Sequence, residues 1–358
     1  MSNGAFDELL ARVRPVDQAA AAAAVLRHTR LTKPVGSLGR LEDLGVQLSA
    51  IARECPPPLP EPVTIGVFAG DHGVVASGVT PWHSEVTAQM VANFCSGGAA
   101  INVISRLVGA EVVVVDVGVA TPIPGDIVGL RQCNVAKGTA NLALQPAMTR
   151  DQAMAALNVG AQIGVEALAQ GARMLVTGDM GIGNTTSSAA LIAVFTTTSP
   201  HLVTGRGTGI DDATLALKTS VIESALRRIV PGATPLDVVA ELGGLEIAAM
   251  AGFIVAGAAA GVPIVIDGVI SVAAALVATT FAPNVQDYLV GGHRSSEPGA
   301  TIGMAHMGLV PLLDLELRLG EGTGAALAIP LVQAAARILG EMATFDSAGV
   351  TERDDGER

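Results

Sequence analysis

The chain has 358 residues, half of them hydrophobic, with a formal net charge of −12 and aromatic residues at only 3%. One Trp, one Tyr and three lysines (Lys33, Lys137 and Lys218) leave neither the basic stripe nor the stacking rings that nucleic-acid binding needs. Abundant Ala, Val, Ile, Leu and Gly at this length suit one large α/β domain, alone or with a small companion, and exclude a disordered or fibrous chain.

The first section, 1–60, reads as helices: "AAAAAAVLRHTRL", then "SLGRLEDLGVQLSAIARE", the second capped by Ser37 after Pro34 and Gly36. "CPPPLPEP" closes it as a stiff linker. From Val63 short β-branched runs alternate with longer Ala/Leu-rich segments. They read as a strand "VTIGVFA", a helix over 84–107, a strand "EVVVVDVG" and a loop-rich region to about 148. A helix over 150–170 follows, then a strand "RMLVT" and helices from Asn184, over 212–228 and over 245–260, before a strand "PIVI". Strands that are continuous apolar runs between helices predict a parallel sheet covered on both faces, Rossmann-like in class. The charge-free stretch 247–266 has the length of a membrane span, yet Ala and Gly dominate it, "GVP" breaks it and no Lys or Arg flanks it. It reads as a buried helix, a turn and a core strand, with no membrane role. The expected division is an α/β large domain over 61–322, with the helix over 323–347 returning to the N-terminal helices as a small domain and 348–358 a disordered tail. Three widely spaced cysteines (Cys55, Cys95, Cys133) and a polar N-terminus predict a reduced, cytoplasmic protein without a signal peptide.

Chemistry collects where the strands end. Asp71 follows the first strand, Asp116 ends the second, Asp179 follows "RMLVT" and Asp267 follows "PIVI", each with glycines beside it. Ligands of open parallel sheets bind at the carboxyl ends of the strands, so these acids predict one polar crevice. "GDMGIGNTT" supplies glycines for close backbone approach, with Asn184 or Thr185 able to cap the next helix and leave its N-terminus for an anion. "GRGTGIDD" and "GEGTGAAL" repeat the theme, and Lys218, two turns into the helix after the first, is a candidate phosphate contact. "EVVVVDVGVATPIPG" lacks the adjacent acids of a ribose-pyrophosphate loop. His72 and His83 stand near the predicted site, whereas His28, His201, His293 and His306 are scattered; no HxxxH or HExxH spacing predicts a metal.

"TKPVGSLGRLE", "FAGDHGVVASGVTPW", "EVTAQMVANF", "GTANL", "GDMGIGNTT", "GRGTG", "GHRSSEPGA" and "LRLGEGTGAALA" occur here in the order of one family, from Thr32 to Phe345. In these motifs the chain resembles the nicotinate-nucleotide–dimethylbenzimidazole phosphoribosyltransferases. The resemblance implies a homodimer, transfer of phosphoribose from nicotinate mononucleotide to 5,6-dimethylbenzimidazole, no cofactor, and Glu321 of "LGEG" as the base. It also implies a second acid, here Asp179 where the family usually has Glu. Thr80 and Gln89 resemble residues that line the benzimidazole pocket. Gly181, Gly183, Asn184 and Thr185, with Lys218 and Ser295, match the phosphate-binding motifs; Gly320 and Gly322 flank the base. Trp82-His83 also departs from the commoner Tyr-Pro or Phe-Pro. Asp71 and Asp267 stand open between substrate contacts and loop caps. A Mg²⁺-dependent transfer from ribose pyrophosphate and a non-catalytic nucleotide-binding regulator remain the competing readings.

Overall fold

The computed structural model describes residues 4–123 and 127–351. Part of the predicted "ATPIPG" loop and residues 352–358 of the predicted tail therefore lie outside the described residues. The chain begins with α1 (Ala5–Leu10), α2 (Gln18–Arg30) and α3 (Arg40–Ala52), and then enters the sheet as β1 (Val63–Gly70). Two helices, α4 (Glu85–Cys95) and α5 (Ala100–Val108), cross to β2 (Glu111–Gly118), which is followed by the short β3 (Leu130–Gln132). α6 (Arg150–Ala169) leads back to β4 (Met174–Met180). A helical run follows: α7 (Asn184–Thr196), α8 (Pro200–Val203), α9 (Asp212–Leu226), α10 (Pro235–Leu242) and α11 (Leu245–Ala260). The rest is β5 (Ile264–Ile266), α12 (Val269–Phe281), β6 (Leu289–Gly291), α13 (Pro298–His306), α14 (Thr323–Glu341) and α15 (Phe345–Ala348).

All strand pairings are parallel, in the order β3-β2-β1-β4-β5-β6. The chain builds outward from β1 in one direction, then returns to lay β4 on β1's other side. This reversal splays the loops after β1 and β4 apart and opens a crevice at their carboxyl ends. β1 is buried along its whole length, as its "VTIGVFAG" run requires for a central strand covered twice. One core fills the face under α6, α7, α11 and α12; the other holds Leu44 and Leu48 of α3, Phe94, Ile101 and the inner side of α14.

Several expectations are corrected. Ser37 does not cap α3: turns at Gly36 and Gly39, both with positive φ, carry the chain to Arg40, and Glu42 Oε1 accepts from the Leu38 N–H (3.0 Å) and from Lys33 Nζ (2.8 Å). The helix expected over 84–107 is two, because the Gly97–Gly98 turn breaks it, with φ +76° at Gly97. The stretch 247–266, by contrast, is the expected buried helix, turn and strand: α11, a turn at Gly261 and β5, with α11 buried from Leu245 to Ala258. α6 and α11 cross at glycines: a Cβ on Gly160 would overlap the Ala249 carbonyl, and one on Gly252 the Leu157 carbonyl. α14 packs on α3 and α5, whereas α1 packs on α6 and α11, its Phe6 N–H donating to Asn158 Oδ1 at 3.0 Å.

Candidate active site

β4 carries Asp179 to the crevice and then turns through Gly181–Ile182–Gly183 into α7. The turn lies so near β1 that a Cβ on Gly181 would fall on the Gly70 carbonyl. Gly183, at φ +92°, is itself the N-cap residue, so the expected capping by Asn184 or Thr185 is corrected. Asn184 Nδ2 donates instead to Asp179 Oδ2 at 3.0 Å, and among the described residues α7 has no side-chain cap hydrogen bond at Gly183.

Glu321 arrives from the opposite side, between Gly320 (φ +83°) and Gly322 (φ +90°), and is itself left-handed at φ +64°. A non-glycine residue keeps that conformation only when its surroundings over-determine it. Here the backbone is wedged against β4, where a Cβ on Gly178 would stand 2.5 Å from the Glu321 carbonyl oxygen. Asp267, just after β5, ties down the start of α14: its Oδ2 accepts from the Gly322 N–H (3.3 Å) and its Oδ1 from the Ala325 N–H (2.8 Å). The Glu321 side chain turns the other way, Oε2 accepting from the Ile101 N–H at the start of α5 (3.3 Å).

Both acids are buried, at 5% exposure each. Burial pushes the Glu321 carboxyl above the usual range; the Ile101 N–H opposes this and the Asp267 charge adds to it. Asp179 is pushed well above its ordinary value by burial, then by the charges of Asp267 and Glu246, against the hydrogen bond from Asn184. Its Oδ1 is buried without a partner among the described residues. A Cβ on Gly320 would sit 3.2 Å from both Asp179 oxygens, so the glutamate loop and the end of β4 meet directly.

The two acids line one side of a cleft of about 230 Å³. Trp82, Val86 and Met90 contribute apolar lining, and Asn184, Thr185, Gly207, Ser295 and Glu297 contribute polar lining. An adjoining recess shares Trp82, Gly181, Asn184, Thr185 and Gly207 with the cleft and adds Thr80, Gly183, Arg206 and Lys218. Lys218 is only 2% exposed; Nζ donates to Thr185 Oγ1 (2.8 Å) and to the Gly205 carbonyl (3.2 Å). Burial lowers its pKa to about 8, with the Glu297 charge opposing. Glu297 Oε1 also accepts from the Gly207 N–H at 2.7 Å and so fixes the "GRGTG" loop over the recess.

Of the residues singled out in the sequence, Glu321, Asp179, Gly181, Asn184, Thr185, Ser295 and Gly320 line the cleft, and Thr80, Gly183 and Lys218 line the recess. Gln89, Asp71, Asp267 and Gly322 line neither. Gln89 is exposed on α4. Asp71 Oδ2 accepts from the Ala120 N–H (2.8 Å), joining the loops after β1 and β2. The histidines are reassigned. His293, set aside as scattered, lines the cleft, and its Nε2 lies 3.3 Å from Asp267 Oδ1. His72 is buried below the crevice, with Nε2 2.7 Å from Glu246 Oε1 and Nδ1 3.1 Å from Ser187 Oγ. Glu297 and Arg318 also line the cleft and were missed, although both lie inside motifs that carried the resemblance.

A family model described as Phosphoribosyltransferase matches residues 13–350. The nicotinate-nucleotide–dimethylbenzimidazole phosphoribosyltransferase of Salinispora tropica is 53% identical over 362 residues, spanning 97% of this chain and 100% of its own. The enzyme of the same name from Geobacter sulfurreducens is 51% identical over 348 residues, spanning 97% of this chain and 98% of its own. The chain belongs to this phosphoribosyltransferase family. It is accordingly an enzyme of the pentosyltransferase class. The family fold matches as well: the crystal structure of CobT from Thermus thermophilus superposes with a TM-score of 0.91 at 48% identity, covering 94% of this chain and 100% of that one.

Proposed function

We propose that the chain moves the 5-phosphoribosyl group of nicotinate mononucleotide onto 5,6-dimethylbenzimidazole, giving nicotinate and α-ribazole 5′-phosphate for the lower ligand of cobalamin. The names of its relatives, near half identity over nearly full length, support these substrates. The observation that carries the mechanism is the pairing of two sites: two buried acids, Glu321 and Asp179, line the cleft, and a buried lysine, Lys218, lines the adjoining recess at the start of α7.

The phosphate belongs at the start of α7. The partial positive charge of a helix N-terminus suits an anion, and Lys218 with Thr185, Asn184 and Ser295 completes the grip. Glu321 acts as the general base. As one ring nitrogen of the acceptor bonds to ribose C1′, the N–H proton on the other passes to the Glu321 carboxylate. The bond from C1′ to nicotinate breaks at the same time, and its electron pair neutralises the pyridinium nitrogen. A ring that leaves neutral needs no protonation and no metal. A carboxylate kept poorly solvated is the stronger base for that proton. Attack opposite the leaving group inverts C1′ from β to α. Asp179, favoured in its protonated form, serves as an auxiliary acid that donates a hydrogen bond toward the ribose or acceptor. Holding both rings against one ribose contributes entropically. A homodimer, a cytoplasmic location and a small domain built from 1–60 and 323–347 belong to the same reading, and the packing of α14 on α3 supports the last.

The test is direct. The protein is mixed with nicotinate mononucleotide, 5,6-dimethylbenzimidazole and excess EDTA, and α-ribazole 5′-phosphate is followed by chromatography and mass spectrometry. Product is the expected result. Product only with ribose pyrophosphate and magnesium would replace this reading with the pyrophosphate one. None under either condition would leave a nucleotide-binding protein without this activity.

A further inference from the structure

The geometry points to Asp267 and His293 as a positioning pair for Glu321, which hold the start of α14 and keep its N–H donors away from the base. This inference rests on the reading of Glu321 as base. A helix N-terminus presents unpaired N–H groups and a partial positive charge, and a carboxylate beside it becomes a weaker base. Glu321 immediately precedes Gly322, the N-cap of the 19-residue α14. Its own oxygen nevertheless bonds elsewhere, to the Ile101 N–H of α5 at 3.3 Å. Asp267 takes two donors at the start of α14, the Gly322 N–H (3.3 Å) and the Ala325 N–H (2.8 Å), and the Thr323 N–H turns back to the Gly320 carbonyl (3.1 Å).

His293 Nε2 approaches the same Oδ1 at 3.3 Å, and both side chains are almost wholly buried, at 0% and 2% exposure. The imidazole lies against the first turn of α14: a Cβ on Gly324 would overlap its ring, which accounts for glycine at that position. Asp267 does not line the cleft, so it acts through Glu321 and not on substrate. The pair does two things. By tying the Gly322 N–H it fixes the left-handed turn at Glu321, and by placing a negative charge beside the base it favours the protonated carboxyl.

The other charges around Glu321 are few. Asp179 comes from β4 and Arg318 from its own loop; α5 presents a backbone N–H, and α4 presents Val86 and Met90. Glu297 lines the same cleft, and Lys218 lines the adjoining recess. Next to His293 in sequence, Arg294 is paired with Asp314 at 3.1 Å. The Asp267 interaction raises the His293 pKa against burial and so favours the charged imidazole, which offsets part of the Asp267 charge.

Full-length Asp267→Asn, His293→Gln and Glu321→Gln are compared with the parent by pH profiles of kcat and kcat/KM. Asp267→Asn should move the acid limb to lower pH by at least about half a unit and lower the plateau kcat about tenfold, with both KM values within about threefold. His293→Gln keeps a donor toward Asp267 but loses the cation, so its acid limb should move to higher pH. Opposite displacements are not produced by general loosening of the fold. Limbs that stay within about 0.2 units in both variants, or a raised KM with unchanged kcat in Asp267→Asn, would overturn the pair's role. If Asp267→Asn fails to fold by circular dichroism, His293→Gln decides alone, an upward shift supporting the pair and no shift overturning it. Glu321→Gln separates the two readings: high activity there sinks the base assignment itself, whereas loss of activity there with unmoved limbs in the others sinks only the pair.

Discussion

Lys218 shows how one side chain can be prepared for an anion before any anion arrives. Its ammonium is buried, bonded to Thr185 and the Gly205 carbonyl, and faces no carboxylate within ion-pair distance among the described residues. Its pKa near 8 means the charge is present below that pH and lost above it. If it grips the phosphate, KM for nicotinate mononucleotide should stay level up to about neutrality and rise once the pH passes about 8, while Lys218→Ala should raise KM at least about tenfold, the scale of a charged hydrogen bond, and flatten the profile. Steady-state titrations of the donor from pH 6 to 10 decide it, and a KM flat across that range in the parent would remove Lys218 from the phosphate site. At this scale the sequence was a good guide to the glycine-flanked acids Asp179 and Glu321 and to the "GDMGIGNTT" loop, which reach the cleft. It was a poor guide to which acids spend their oxygens on backbone. Nothing local to Asp267 or Asp71 tells that a loop N–H from position 322 or 120 will arrive there.

Among the elements, the α6–α11 pair carries the most demanding packing. Glycines at the crossing let the helix backbones touch, so Gly160→Ala must push α11 off Ala249. Overpacking of this kind costs about 1–3 kcal/mol or more, and urea melts should register it as a lower midpoint. Gly340→Ala is the matched control. It lies in the last turn of α14 with open space around its Cα, and should be neutral or stabilising by about 0.5 kcal/mol from helix propensity alone. Equal effects from the two substitutions would contradict this account of the crossing. The long helices and the β-branched strands were legible because their patterns run for many residues. β3 and β6 were not: "LRQ" and "LVG" are as short as β5 but lack the run of β-branched residues that marks "IVI". α12 was not marked because "VISVAAALVATTF" mixes β-branched residues with alanine and is buried along most of its length, so it shows no polar face to set a period.

For the molecule as a whole, the parallel class could be read from alternating strands and helices, but the strand order could not. The reversal between β1 and β4 comes from which edge the chain returns to after β3, a choice made by packing on two faces and not by any local segment. That choice brings residues 82–90, 179–185, 293–297 and 318–321 around one cleft. It also explains why His293 looked scattered along the chain and is adjacent to the site in space. The central claim is that this cleft transfers phosphoribose with Glu321 as the base. The most direct measurement is kcat of Glu321→Gln with both substrates saturating, taken with its calorimetric affinity for nicotinate mononucleotide. The account predicts a fall in kcat of at least about 10²-fold, the usual scale for a general base, with donor affinity within about threefold of the parent. A kcat within about threefold of the parent would contradict it.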